Sequence, residues 1–147
     1  MDVGRLRALE ATLGHHFTDA RLLARALTHP SYANEHPPES DQEPLAFVGD
    51  AALGLIVAEQ LLARAPEAPV GVLTPARAAI VSGANLARWA ATLELGTLLR
   101  LGRGEDLTGG RERESILATT LEAVLGVVYL ETGLDGVRRI VRRLAGW

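Results

Sequence analysis

One long helix-forming segment, apolar on nearly every side, limits what this chain can fold into more than any other feature. The segment begins at Glu43-Pro44, where proline suits the first turn of a helix, and it continues to about Leu62. Such a pattern is typical of a central helix that other helices surround. The composition agrees, because 48% of the residues are hydrophobic but only 4% are aromatic, so Leu and Ala, both strong helix formers, must fill much of the core. The sequence therefore predicts an all-α fold.

Helical periodicity, capping residues and glycine or proline breaks divide the rest of the chain into shorter helices. We expect helices over Arg5–Leu13, from Thr18 or Asp19 to His29, from Thr74-Pro75 to about Ser82, from Gly83 to Gly96, from about Arg113 to Leu130, and from Leu134 to near the end, with a short helical turn over 97–101. We expect loops over 34–42, 65–72 and the glycine-rich 102–110. No internal repeat is present, so residues 1–147 are predicted to form a single domain.

The overall charge does not favour nucleic acid as a partner. The formal net charge is −3, whereas proteins that bind nucleic acid on their own are usually basic. The chain has no cysteine, which excludes disulfides and thiolate metal sites. Its longest apolar run, Ala51–Ala58, is far shorter than the roughly 20 residues of a membrane span. With no secretory leader in view either, we expect a soluble, cytoplasmic protein with no membrane partner.

Three co-linear stretches carry a more specific signal than the composition does. They are LGHHF at 13–17 with ALTHPSYANE at 26–35, EPLAFVGDAALG at 43–54, and GGR at 109–111 leading into SILATTLEAVLG at 115–126. Together they resemble the ribonuclease III family, whose signature helix is similar to the second stretch and whose second acidic helix is similar to the third. The order and spacing match over essentially the whole chain, which makes this a stronger signal than one short motif.

The resemblance implies a fold, an activity and an assembly. It implies the helical endonuclease domain of that family, a homodimer whose cleft receives double-stranded RNA, and phosphodiester hydrolysis with Mg²⁺. It also implies that the family's C-terminal double-stranded-RNA-binding domain is absent from residues 1–147.

Metal-assisted hydrolysis of a phosphodiester requires clustered oxygen ligands. The metal activates water and neutralises charge at phosphorus, and Mg²⁺ prefers carboxylates. Positions 43, 46, 47 and 50 share one face of a helix, as do positions 119 and 122, because residues three or four apart are neighbours. If the two helices cross, their acidic faces meet.

Only half of the implied central carboxylates are present. The resemblance implies two on each helix, and the matching residues are Ala46, Asp50, Thr119 and Glu122. Asp50 and Glu122 are thus the implied metal ligands and, with Glu43, which matches a further acid of the signature, the implied catalytic residues. Ala46 has no ligand atom and Thr119 has only a neutral hydroxyl. We expect Mg²⁺ or Mn²⁺ if the protein is active, and no bound metal if it is not.

Other residues have a functional and an ordinary interpretation. Phe47 is either a core aromatic or, as the resemblance implies, a side chain that projects across a dimer interface. Arg111 and Arg113 either belong to a plain loop or contact RNA phosphates. Arg138, Arg139, Arg142 and Arg143 form either a solvated helix face or a stripe of phosphate contacts. His29 is expected to be a structural hydrogen-bonding residue rather than a metal ligand, and His15 and His16 are expected to be exposed.

Three hypotheses about function follow. The first is a dimeric protein that engages double-stranded or structured RNA with impaired or lost cleavage, in ribosomal RNA maturation or as a ribosome-associated factor. The second is an active, metal-dependent endoribonuclease in RNA processing, guided by an RNA-binding partner protein. The third is a non-catalytic dimerisation module, or a partner subunit of a competent homologue.

Overall fold

The computed structural model describes all residues from Met1 to Trp147, and they form helices without any β-strand. The α-helices are α1 (Val3–Leu13), α2 (Ala20–Ala26), α3 (Pro30–Glu35), α4 (Glu43–Arg64), α5 (Val70–Ile80), α6 (Gly83–Thr92), α7 (Arg103–Leu107) and α8 (Glu114–Ala145), with short 3-10 turns at Leu95–Thr97 and Gly110–Glu112. The predicted all-α fold is confirmed.

Two long helices, α4 and α8, pack against each other at the centre of the molecule. Glycines let the backbones approach closely: a Cβ at Gly49 would lie 1.7 Å from the carbonyl oxygen of Glu122, and one at Gly126 would lie 2.2 Å from that of Leu45. The prediction of a long helix from Glu43 is confirmed. The helix is not buried on every side, however, because a strip that includes Phe47 and Leu55 stays exposed.

Shorter helices complete the core around this pair. Helices α2 and α6 pack on α8. Two leucines of α1, Leu9 and Leu13, are buried in the same cluster. Asp19 accepts a hydrogen bond from the Leu22 amide at the start of α2, and Ser82 accepts one from the Asn85 amide at the start of α6. The predicted cap at Asp19 is therefore confirmed, whereas Ser82, which the sequence analysis placed at the end of the preceding helix, caps α6.

A glycine bends α8 where the sequence predicts a break. Gly133 has φ 72° and ψ −166°, a conformation that side chains disfavour. Just before it, the Glu131 carboxylate accepts hydrogen bonds from the amides of Thr18 and Asp19 and lies 2.9 Å from His15 Nε2. Burial raises the pKa of Glu131, but the hydrogen bonds from Asp19, His15 and Thr18 outweigh it and lower the pKa. This cluster ties the loop after α1 to the bend.

His15 is not exposed, as the sequence suggested, because its side chain is only 8% exposed and that of Glu131 only 7%. His16 is exposed as expected, with Nδ1 2.8 Å from Glu10. The difference between two adjacent histidines arises from a carboxylate 116 residues further along the chain, which local sequence does not reveal.

The starts of two helices differ from the sequence prediction. Pro30 begins α3 instead of only closing α2, because proline fits a first turn and His29 Nδ1 accepts a hydrogen bond from the Ser31 amide. Helix α5 begins at Val70, so Pro75 lies inside it. The missing amide there leaves the carbonyl of Gly71 free, and Gly71 is exposed to water.

The glycine-rich stretch 102–110 is not only a loop, because α7 lies within it. The Glu35 carboxylate accepts a hydrogen bond of 2.9 Å from the Arg103 amide at the start of α7. A negative group at this position also suits the helix dipole. The contact comes from 68 residues away and has no local sequence signal.

Two helices, Glu43–Arg64 and Glu114–Ala145, are long and apolar enough to cross a membrane, judged by length and composition alone. Counting only uninterrupted apolar runs had predicted none. In the folded chain these are α4 and α8, and their apolar sides pack against each other.

We predict that the close approach of α4 and α8 makes Gly49→Ala strongly destabilising. The added methyl group would overlap the carbonyl of Glu122, so we expect a loss of about 3 kcal/mol in the free energy of unfolding, measured by urea denaturation. Gly54→Ala on the same helix is the matched control, since nothing lies within 4 Å of its Cβ, and it should stabilise the protein by about 0.5–1 kcal/mol. Equal effects at the two positions would contradict this account of the helix contact.

Candidate functional site

A cleft of about 680 Å³ opens beside the contact between α4 and α8. It is lined by His29, Pro30, Gln42, Glu43, Ala46, Phe47, Asp50, Ser115, Ile116, Thr119 and Glu122. Residues from the start of α4 and the first turns of α8 thus share one surface, which is the arrangement expected if the two acidic helix faces meet.

All of the sequence-predicted acidic positions line this cleft. Glu43, Asp50 and Glu122 are there, and so are Ala46 and Thr119. The Glu43 amide donates a hydrogen bond to the carboxylate of Asp41, which holds the start of α4. The structure therefore brings the predicted site residues together, while the role of each in catalysis stays a prediction.

The two central carboxyl groups interact directly. Burial, a hydrogen bond with Asp50 and the negative charge of Asp50 raise the pKa of Glu122 to about 8. The Glu122 carboxyl therefore holds its proton more tightly than an ordinary carboxyl does. A proton between two carboxyl groups removes their mutual repulsion.

Gln42 is a cleft residue that the sequence analysis missed. It is fully buried, and its amide nitrogen donates to the Ala26 carbonyl at 2.7 Å and to Thr120 Oγ1 at 3.1 Å. These bonds join α2, the start of α4 and α8. Its Oε1 is the one buried side-chain oxygen or nitrogen without a hydrogen-bond partner. No local signal distinguishes this glutamine from the exposed polar residues that precede it.

His29 has the structural role that its sequence context indicated. Its Nδ1 lies 2.7 Å from Ser31 Oγ and accepts the Ser31 amide at 3.1 Å, so that nitrogen is committed to the start of α3. Burial lowers the pKa of His29 below its ordinary value, against the opposing effects of nearby acids. The histidine is therefore neutral at neutral pH, and its ring contributes to one wall of the cleft.

Phe47 is not a core residue. Its side chain is 79% exposed at the edge of the cleft. A large aromatic in water is unfavourable by itself, which is consistent with a partner surface. The interpretation of Phe47 as an ordinary core aromatic is therefore wrong, and its place in a dimer interface stays a prediction.

Arg111 and Arg113 make their main contacts within the chain. Arg111 Nη1 donates to the carbonyls of Gly96 and Leu99, and its Nε donates to Asp106 at 2.9 Å. Arg113 pairs with Glu105 and donates to the Thr108 carbonyl. These bonds hold α7 and the following turn in place. RNA binding by the two arginines stays a prediction. It would have to use the guanidinium N–H groups that do not take part in these contacts.

The basic face of the last helix is only partly neutralised. Arg138 pairs with Glu59 at 3.0 Å and with Asp135. Arg139, Arg142 and Arg143 form no ion pair, so this face offers three free cations. They remain compatible with both a solvated face and a phosphate-binding stripe.

Comparison with known proteins decides the family. A family model described as Ribonuclease-III-like matches residues 19–145. The chain belongs to the ribonuclease III family. It is 51% identical over 136 residues to Ribonuclease 3 of Streptomyces coelicolor, covering 92% of this chain and 49% of that protein. It is 44% identical over 146 residues to Ribonuclease 3 of Symbiobacterium thermophilum, covering 99% of this chain and 62% of that one.

Solved structures match the nuclease domain of this family. A structure of the nuclease domain of ribonuclease III from Campylobacter jejuni, described as showing flexibility in a region involved in dimer formation, superposes with a TM-score of 0.88 at 37% identity. The match covers 95% of this chain and 94% of that one. The chain spans about half to three fifths of the length of the curated relatives it matches, so it corresponds to their nuclease domain.

Ribonuclease III proteins generally depend on a divalent metal, and the donor set of this cleft does not fit one well. No group of three or more His, Asp or Glu side chains is close enough to hold a metal ion. Asp50 and Glu122 are the two central carboxylates of the cleft, Ala46 has no ligand atom, and Thr119 has only a hydroxyl. Mg²⁺ prefers several hard oxygen ligands with negative charge, which this cleft does not assemble.

We predict that the metal-free protein loses stability as the pH rises from about 4.5 to 8. The pKa of Glu122 is about 8 in the folded chain against an ordinary value of 4.5, so the folded state binds the proton more tightly. Its stabilising effect is complete below pH 4.5 and disappears as the pH passes 8. Urea midpoints measured with a chelator should fall less steeply with pH for Glu122→Gln than for the unmodified chain.

Glu67 is exposed, so Glu67→Gln is the control for this pH series. Its urea midpoints should change with pH as those of the unmodified chain do. Parallel pH profiles for Glu122→Gln and the unmodified chain would show that the Glu122 carboxyl does not hold a proton in the folded state.

Proposed function

We propose that this chain engages double-stranded or structured RNA as a homodimer, in the cytoplasm, and that its metal-dependent cleavage is impaired or lost. Ribonuclease III domains act on double-stranded RNA, which supports the substrate class. The impairment is inferred from Ala46 and Thr119, which stand where the family resemblance implies two of four central carboxylates.

The observation that carries the proposal is a cleft between two closely packed helices that has no acid at two of the four implied positions. Ala46 and Thr119 line the same surface as Asp50 and Glu122. A cleft with two carboxylates fewer attracts a divalent cation less strongly. It also has less repulsion among the remaining acids, which favours a stable pocket that binds metal weakly.

Dimerisation is supported by an apolar strip along α4. Phe47, Ala51, Leu55 and Leu62 are exposed, and their spacing of four, four and seven residues places them on one side of the helix. Phe47 also borders the cleft. A two-fold axis through this strip would therefore bring two clefts next to each other, since a symmetric interface uses the same patch twice. The Campylobacter relative, whose description mentions dimer formation, supports the same assembly.

An acidic chain can bind RNA only if some of its basic side chains are not already paired with carboxylates. Only five of the fifteen arginines form ion pairs with carboxylates. The other ten can contact phosphates without first breaking an ion pair, so the net charge of −3 does not argue against RNA.

Active cleavage is the second candidate. It is favoured by the retained Glu43, Asp50 and Glu122 and by 51% identity to a protein named Ribonuclease 3. Mg²⁺ commonly keeps several of its own waters, which would replace the missing ligands. The two candidates differ in one measurable property, the cleavage rate of the unmodified chain.

We expect Ala46→Glu combined with Thr119→Asp to raise the cleavage of labelled duplex RNA in Mg²⁺ or Mn²⁺ by at least about 100-fold, because a metal ion held at the site is worth several kcal/mol of transition-state stabilisation. The products should carry 5′-phosphates. Adding Asp50→Asn to the restored chain should abolish this gain and controls for a contaminating nuclease. Cleavage by the unmodified chain at the rate of the restored one would instead establish the second candidate.

Phe47→Asp should convert the dimer to a monomer, because it places a charge within the proposed apolar interface. Sedimentation velocity across a concentration series measures the change. Leu107→Asp is the matched control, since Leu107 is 84% exposed on α7, away from the strip on α4. A chain that sediments as a monomer before any substitution, or a Phe47→Asp chain that remains dimeric, would overturn the proposed assembly.

A further inference from the structure

A second groove, of about 600 Å³, lies between α2 and the loop at 38–40. Three arginines line it: Arg21 and Arg25 on α2, one helical turn apart, and Arg100. We call these three residues with the loop 38–40 the arginine groove. Except for Arg100, none of its basic side chains forms an ion pair.

Arg25 is held in place with most of its donors free. Its Nε donates to the carbonyl of Asp41 at 2.9 Å, and this is the only hydrogen bond that its guanidinium makes with the protein. The two terminal nitrogens are therefore available, on a group whose orientation is already fixed. Fixing the guanidinium in advance reduces the entropy lost when it binds a ligand.

Arg100 is fixed even more firmly. Its Nε and Nη2 donate to Thr28 Oγ1 at 2.9 and 2.7 Å, and its guanidinium lies 4.7 Å from the centre of the Tyr32 ring. Its backbone amide donates to the Leu27 carbonyl at 2.8 Å, which ties this residue to the end of α2. Nη1 has no protein partner, so Arg100 also keeps donors for a ligand.

The acidic residues of the groove do not neutralise it. Asp19 Oδ1 accepts the Leu22 amide at 3.0 Å as the cap of α2. Glu39 pairs with Arg100 at 3.1 Å. Arg21 and Arg25 therefore have no carboxylate within ion-pair distance, and the wall formed by α2 is positive.

We propose that the arginine groove binds a phosphate group, the phosphodiester of an RNA strand that continues beyond the acidic cleft. Guanidinium groups match phosphate oxygens in geometry and charge. The groove and the cleft are neighbours, because residues 38–40 line the groove and Gln42 and Glu43 line the cleft. The carbonyl that orients Arg25 belongs to Asp41, between these two segments.

This inference rests on the proposed RNA binding. By binding one phosphodiester, the groove would fix the position of the RNA strand in the cleft. A short duplex that fills only the cleft would not reach it, whereas a longer one would. The contribution of the groove to affinity should therefore depend on duplex length, which a general attraction between an arginine-rich surface and RNA would not produce in the same way.

The test compares Arg21→Gln combined with Arg25→Gln against Arg7→Gln combined with Arg88→Gln, which removes the same charge from exposed arginines without ion pairs elsewhere. Fluorescence anisotropy with a short and a long labelled RNA duplex measures affinity over a salt series. We expect the groove variant to bind the long duplex roughly tenfold more weakly than the control at low salt. Its slope of log K against log salt should be smaller by about 1–2.

A single variant distinguishes loss of the groove from misfolding of the double variant. Arg21→Gln alone removes no hydrogen bond within the protein, so it guards against misfolding of the double variant and should still weaken binding of the long duplex. Equal binding of that duplex by the groove and control variants would overturn the proposal.

If the unmodified chain binds no RNA at all, the proposed function fails and the RNA assignment of the groove fails with it. Inorganic phosphate is then the probe, with the ¹H–¹⁵N signal of Arg25 Nε as the readout. A shift of this signal on addition of phosphate would show that the groove binds phosphate, although not as part of RNA. No shift would overturn the site itself.

Discussion

The close contact between α4 and α8 at Gly49 and Gly126 determines both the packing and the site. A side chain at either position would overlap a backbone carbonyl of the other helix, so the helices can approach only where the glycines coincide. Asp50 follows Gly49 in sequence, and the carbonyl nearest to Gly49 belongs to Glu122. One packing constraint therefore also fixes the distance between the two central carboxyl groups, and the cleft cannot lose its shape without the core losing its contact.

That coupling would allow the site to lose ligands, as the proposed function requires, while the fold stays intact. The acids contribute little to the contact between the helices, which depends on glycine and on buried aliphatic side chains. Ala46 and Thr119 both suit a helix that packs closely, and neither introduces a buried charge. Burial and the neighbouring Asp50 raise the pKa of the remaining acid on α8, Glu122, so a proton on this carboxyl would relieve the repulsion between the two groups.

Local sequence predicted those parts of the fold that depend on local signals. The long helix from Glu43, the cap at Asp19 and the break at Gly133 were marked by proline, a capping residue and glycine, and the structure confirms them. Helix α7 and the burial of His15 depend on Glu35 and Glu131, which lie 68 and 116 residues away, so no window of sequence contains the cause. The acidic positions of the cleft were found because helical spacing places them on one face. Gln42 was missed, because its role arises from contacts with α2 and α8.

An acidic chain in a family that acts on RNA shows why the arrangement of charge matters more than its sum. Arg111 and Arg113, the most obvious candidates in the sequence, use most of their donors to hold α7 and its turn. Arg21 and Arg25 stand in an unremarkable amphipathic helix, yet they are free of carboxylates. Whether an arginine can bind a phosphate is decided by the partners that the fold has already given it, and those partners are visible only in three dimensions. The basic surface that could bind phosphate therefore consists of the arginines that the fold leaves without a carboxylate partner. Arg21 and Arg25 belong to it, and they lie close to the cleft.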